Sequence, residues 1–115
     1  MRAVTVAILL GLSAVPASAQ ISASIESPQC YEGVGCPHKD RIAEKQIRSH
    51  SCENLWLIRN TIFHQRGYCF QSGRGKSEFS NSRCTVNTVS DLKLTPVEND
   101  NVGTIEKLER QKRCS

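Results

Sequence analysis

Apolar residues along this chain form one unbroken run, two helical stripes and several stretches without period. The run comes first. Ala3 to Val15 is apolar apart from Thr5, Gly11 and Ser13, follows Arg2, and leads into the small residues Ala17-Ser18-Ala19. This is the layout of a secretory signal peptide over residues 1–19, with cleavage before Gln20. The run is 13 residues long. A spanning helix needs about 20, and no other stretch is apolar enough to cross a membrane.

The first stripe predicts a helix from Cys52 to about Arg66. At helical spacing, Cys52, Leu55, Trp56, Ile58, Ile62 and Phe63 share an arc of about 160°. Ser51 can cap the N-terminus, Glu53 suits the first turn, and Gly67 suits the left-handed position past the end. Arg59 falls in the middle of the apolar arc with Arg66 nearby, and a cation there must be paired or must reach water. Glu53, Leu57, Asn60 and His64 mark the opposite, outer side. Leu57 would be exposed unless the segment near Ile47 covers it, which is the preferred reading.

The second stripe begins at Thr95-Pro96-Val97-Glu98, a capping box with proline at the first helical position, and runs to about Lys112. Val97, Val102, Ile105 and Leu108 face one way, bordered by Glu98 and Glu109, so Arg59 is expected to pair with one of these two carboxylates. Gly103 lies on the outer face at a cost of about 1 kcal/mol.

Elsewhere the pattern is weak. Residues 20–27 read as a loose tail, 29–37 as a glycine-rich loop between cysteines, and Lys39 to Arg48 as a short helix with Ile42, Ala43 and Ile47 on one side. Tyr68 to Phe70 reads as extended, Ser72 to Gly75 as a turn, Lys76 to Ser80 as one helical turn with Phe79 inward, and Asn81 to Val89 as irregular.

A mature chain of 96 residues, Gln20 to Ser115, buries a limited core and needs an added constraint. Six cysteines supply it: Cys30, Cys36, Cys52, Cys69, Cys84 and Cys114. An even count in an exported chain reads as a disulfide framework. Their gaps of 5, 15, 16, 14 and 29 residues contain no CxxC pair of the kind zinc modules use, so no metal is expected. Fifteen pairings are open; the preferred one is Cys30–Cys36, Cys69–Cys84 and Cys52–Cys114, the last joining the two main helices.

Net charge is +4, or +3 once Arg2 is lost with the leader. Lys and Arg are interleaved with Glu and Asp and form no nucleic-acid stripe. Gly75-Lys76-Ser77 resembles the tail of a phosphate loop, but Phe70 stands where the leading glycine belongs, so no nucleotide cofactor is expected. A weak anion site at Gly73 to Lys76 is the residual expectation there. His38, His50 and His64 could serve acid–base chemistry only if two met, and nothing in the sequence brings two together. No GxSxG is present, and no carboxylate pair stands out from the surface acids.

The stretch Ile58-Arg59-Asn60-Thr61-Ile62-Phe63-His64-Gln65-Arg66-Gly67-Tyr68-Cys69-Phe70 resembles the core of the YARHG domain, L-R-N-E-I-Y-A-R-H-G-Y-x-F. Arg59, Asn60, Ile62, Gly67, Tyr68 and Phe70 match, while Phe63, His64, Gln65 and Arg66 replace four of the five letters that name the family. A cysteine-containing branch of small exported bacterial proteins is more similar, and its pattern falls here on Cys52, Leu55, Trp56, Arg59, Asn60, Ile62, Gly67 to Phe70, Phe79, Asn81, Cys84 and Cys114. Leu57 departs from the tyrosine usual there. The resemblance covers about residues 51–114. It implies a bacterial extracellular domain of the kind found in lipoproteins and beside peptidases, and it carries no activity to transfer.

The expected fold is mainly α, a small disulfide-stabilised, loop-rich helical domain over 51–115, preceded by residues 20–50 as tail, cysteine loop and weak helix. The expected role is a non-catalytic periplasmic or extracellular binding or structural module. Its partner would be a cell-wall polymer or an envelope protein. The alternative is a small secreted hydrolase acting on an envelope polymer, which a His–His or Glu–His cluster in a cleft would favour.

Overall fold

A computed structural model of the chain describes residues 29–115 and the isolated Gly11. Four α-helices follow in order: α1 (Glu44–Ile47), α2 (Cys52–Gln65), α3 (Gly73–Glu78) and α4 (Pro96–Gln111), with a 3-10 turn at Val89–Asp91 before α4. Among the described residues there is no strand beyond the isolated bridges Tyr31–Gly35 and Tyr68–Val86. The fold is mainly α, loop-rich and bridged by three disulfides, Cys30–Cys36, Cys52–Cys114 and Cys69–Cys84.

Helix α2 is the centre because both of its sides are covered. One side packs on α4, burying Leu55, Ile58 and Ile62 against Ile105 and Leu108. Ile47 of α1, which also packs on α4, Ile42 just before it and Val34 of the cysteine loop close the same core. Each such aliphatic side chain contributes about 1.5–3 kcal/mol on leaving water. The other side carries an aromatic chain, Trp56–Phe79–Phe70–Tyr68–Phe63, with successive ring centroids 4.7–6.2 Å apart. Those five are all but one of the six aromatic residues, so this second cluster fastens α3 and its flanking loops to α2.

That double coverage corrects the reading of an outer face. Asn60 is buried and donates from Nδ2 to the Trp56 carbonyl at 2.9 Å. Thr61 is buried beside it, bonded to the Leu57 carbonyl and to the Tyr31 hydroxyl. Leu57 and His64 are half-buried.

Helix α1 is also shorter than Lys39–Arg48, and Ala43 is exposed rather than inward. Asn101 of α4 is the cause. Its fully buried amide accepts from Ile42 N at 2.8 Å and donates to the Pro37 and Asp40 carbonyls at 2.9 and 2.8 Å. Holding residues 37–42 by their backbone groups takes from them the hydrogen bonds that a helix would need. Helix α3 likewise starts earlier than expected, at Gly73, because Ser72 Oγ accepts from Gly75 N at 3.0 Å and caps it. Gly75 is buried under Phe70, whose ring lies 2.7 Å from where a Cβ would stand, so Gly73 to Lys76 is a packed helical turn and not an open anion loop.

Candidate functional site

The C-terminal end of α2 opens onto a cleft of about 480 Å³ built from four separate stretches of chain. Helix α2 and its exit supply His64, Arg66 and Tyr68; the cysteine-loop exit supplies His38; the loop after α3 supplies Ser80 and Arg83; the first turn of α4 supplies Glu98.

Local rules place each group. Helix α2 ends at Gln65, and the chain turns away at Gly67, whose φ of +87° is open to glycine but costly for other residues. A Cβ there would also meet Thr85 Oγ1 at 2.8 Å. The Gly67 carbonyl accepts from Thr85 N and Val86 N, while Cys69 N donates to the Val86 carbonyl. Together with the Cys69–Cys84 bond, this brings Arg83 alongside Tyr68. Asn81 fixes the same wall by clasping the Phe70 backbone, accepting from its N–H at 2.9 Å and donating to its carbonyl at 2.8 Å. His38 follows Pro37, whose carbonyl Asn101 holds.

Two charges of the cleft, Glu98 and Arg66, hold each other in place. Glu98 is fully buried, completes the capping box of α4 by accepting from Thr95 N at 2.9 Å, and meets Arg66 Nη2 at 2.6 Å and Nε at 2.8 Å. Burial alone would push its carboxyl up, but the hydrogen bonds from Arg66 and Thr95 outweigh this and hold it below the ordinary range. The same contact raises Arg66. Its Nε and Nη2 are used on Glu98, yet the side chain remains 38% exposed. His64 Nε2 lies 3.1 Å from the Ser80 carbonyl, which can only accept, so that nitrogen carries the proton. His38 Nδ1 is buried and has no hydrogen-bond partner among the described residues.

Two histidines and a carboxylate thus line one cleft, a meeting that the sequence did not suggest. The expected partner of Arg59 resolves to Glu109, bidentate at 2.6 and 3.0 Å, leaving Glu98 to Arg66. Arg83 and His38 were not singled out as cleft residues. For Arg83 a signal existed: pairing Cys69 with Cys84 forces its neighbour toward Tyr68. For His38 none did, since Asn101, 63 positions later, sets its place.

Of the motif residues, Leu55 and Ile62 lie in the core and Arg59 in the α2–α4 contact. Trp56 lies under the Arg74 guanidinium at 3.8 Å, with Arg74 also paired to Glu53. Phe70 and Phe79 stack at 4.7 Å, and His64 packs on Phe79 at 5.2 Å. Only Gly67, Tyr68 and Cys84 of the motif reach the cleft wall. A second, open groove between α1 and α4 has its charges joined in the pairs Arg41–Asp100 and Lys107–Glu44. Among the described residues no group of three or more His, Cys, Asp or Glu could hold a metal, and no helix is long and apolar enough to cross a membrane.

Compared with known proteins, the chain matches no curated protein and no solved structure. The family model of the YARHG domain matches residues 38–110, which takes in α1 and both walls of the cleft as well as the motif of α2. The chain belongs to the YARHG domain family.

Proposed function

We propose that this chain is exported and acts in the periplasm or outside the cell as a non-catalytic binding module, with the His38–His64 cleft as its recognition surface. One observation carries the reading: a cleft whose Glu98–Arg66 pair is fixed in advance by the fold, in a domain closed by three disulfides. Fixed polar groups in a concave site reduce the cost of ordering on binding. The disulfides and the leader pattern support an oxidising compartment outside the cytoplasm. The commitment of Glu98 to Arg66 and to the helix cap argues against general acid–base work, because its proton affinity is tuned away from neutrality.

The test is retention of the exported, oxidised protein on peptidoglycan sacculi and on envelope extract, across salt concentrations. Saturable retention that falls by roughly tenfold in Arg83→Glu supports the cleft as the binding surface. No retention on either material overturns the reading. The hydrolase alternative draws on the two cleft histidines, and release of soluble fragments by the wild type but not by His38→Ala would establish it instead.

A further inference from the structure

We propose that the end of the molecule opposite the cleft is a membrane-docking face, which holds the protein on a bilayer rich in anionic phospholipid through charge alone. This face is separate from the cleft, and its role does not rest on what the cleft binds.

Two links show that α2 and α4 run antiparallel. Arg66, just past α2, pairs with Glu98 in the first turn of α4, and Cys52, the first residue of α2, is bonded to Cys114, just past α4. The cleft therefore lies at one end of the pair and the Cys52–Cys114 bond at the other. The chain entering and forming α1 runs alongside α4 in the same direction, since Arg41 meets Asp100, Ile42 N meets Asn101 and Glu44 meets Lys107. That register carries Lys45 and Arg48 toward the last turns of α4.

This end is basic. Lys45, Arg48, Lys107, Arg110, Lys112 and Arg113 are exposed there. The carboxylates set against them are Glu106 and Glu44, the latter shared by Arg48 and Lys107. Glu53 and Glu109 are taken up by Arg74 and Arg59. A carboxylate at Ser115 would still leave the balance positive. Among the described residues, the side chains of Lys45, Arg110, Lys112 and Arg113 have no hydrogen bond or ion pair.

The close of α4 points the same way. Cys114 N donates to the Glu109 carbonyl at 2.9 Å and Arg113 N to the Arg110 carbonyl at 3.1 Å, which puts Arg113 at the left-handed position where glycine commonly ends a helix. Its φ is +54°, and it is the one non-glycine residue with positive φ among those described. A glycine would close the helix with less strain; arginine instead sets a guanidinium at the tip. The helix dipole favours cations in the last turn, but it does not account for arginine at this strained position, nor for Lys45 and Arg48 on another segment.

Charge complementarity selects the partner. The cations come from two segments, and Arg110, Lys112 and Arg113 line neither the cleft nor the α1–α4 groove. Such an array suits a plane of anionic headgroups better than a polymer strand, which is held by a groove that tracks it. The large apolar side chain exposed among the described residues is Val89, in the turn before α4. The basic end thus offers no apolar side chain to the acyl layer, and its adsorption is electrostatic. Docked this way, the protein turns its cleft away from the bilayer.

The test is cosedimentation of the exported, oxidised protein with vesicles. Phosphatidylcholine vesicles containing about one third phosphatidylglycerol should bind it at about 50 mM salt and release it at about 500 mM, and pure phosphatidylcholine should not bind it. Each cation near such a surface multiplies the partition coefficient by about five, so Lys112→Gln/Arg113→Gln should weaken binding about 25-fold. Lys39→Gln/Lys93→Gln removes the same charge beside the first turns of α4, farther from the tip than a Debye length of about 8 Å, and should cost less than about threefold. Arg113→Gly should weaken binding about fivefold while melting no lower than the wild type, because the strain at that position is relieved. Equal losses in the two double variants would show that net charge alone is read, and would overturn the proposal. So would indifference to lipid charge, or an Arg113→Gly variant that melts lower and binds as before, which would make that cation a helix stop only. Retention on heparin resin without vesicle binding would overturn the membrane in favour of an anionic polymer.

Discussion

Glu98 carries its charge into a place with no exposure to water, caps α4 and pairs with Arg66 across the cleft floor. A buried carboxylate survives there because each of its oxygens is bonded by a charged or backbone donor. The pH consequence has a definite sign. The folded-state pKa lies below that of the unfolded chain, so the stabilisation is fully present above about pH 4.3 and is lost as pH falls through the lowered value. Thermal melts should show a melting temperature level between pH 5 and 7 and falling below about pH 4.5. Glu98→Gln should flatten that acid limb and cost about 2 kcal/mol at neutral pH, since Arg66 is left without its carboxylate. An acid limb of unchanged steepness in the variant would place the titration elsewhere. Arg59 is the companion case: a cation on an apolar stripe, accommodated by Glu109 with both oxygens.

Helix α4 shows what an element can be asked to do at once. Its inner stripe buries Ile105 and Leu108, its first turn supplies Glu98, and its middle supplies Asn101, the clamp on residues 37–42. Gly103 serves none of this: it is exposed, and a Cβ there would meet nothing within 4 Å. Gly103→Ala should therefore stabilise the protein by about 1 kcal/mol, through helix propensity and a less flexible unfolded chain, and raise the melting temperature by roughly 4–8 °C. A neutral or negative result would mean that the α1–α4 groove beside it is filled in solution. This helix and α2 were legible in the sequence because capping residues and a sustained stripe mark both ends and one face. Helix α1 and the outer side of α2 were not. A four-residue helix has no periodicity to read, Thr61 is bonded by Tyr31 from far along the chain, and the polar side chains of Asn60 and Thr61 gave no sign that both are buried. The cleft was the least legible part, since its groups come from four stretches and meet only through tertiary contacts.

At the scale of the whole molecule, the three disulfides are unequal because they close loops of different length. Chain-entropy arithmetic gives about 2 kcal/mol for Cys30–Cys36, about 3 kcal/mol for Cys69–Cys84 and about 4 kcal/mol for Cys52–Cys114, whose sequence separations are 6, 15 and 62. The longest also ties the first residue of α2 to the chain just past α4, and so closes the seam that buries most of the aliphatic core. The bond Cys69–Cys84 instead holds a wall of the cleft. Stability and binding should therefore separate between the two. In denaturant titrations, Cys52→Ser/Cys114→Ser should lose about 4 kcal/mol yet keep its retention on sacculi or envelope extract where still folded. Cys69→Ser/Cys84→Ser should lose less stability and weaken retention on sacculi or envelope extract by roughly tenfold, because the cleft wall then keeps the backbone bonds at Gly67 and the Asn81 clasp but loses its covalent tie. Equal losses of stability in the two variants would refute the loop-length account. Unaltered binding in the second would show that those backbone bonds suffice to hold the wall.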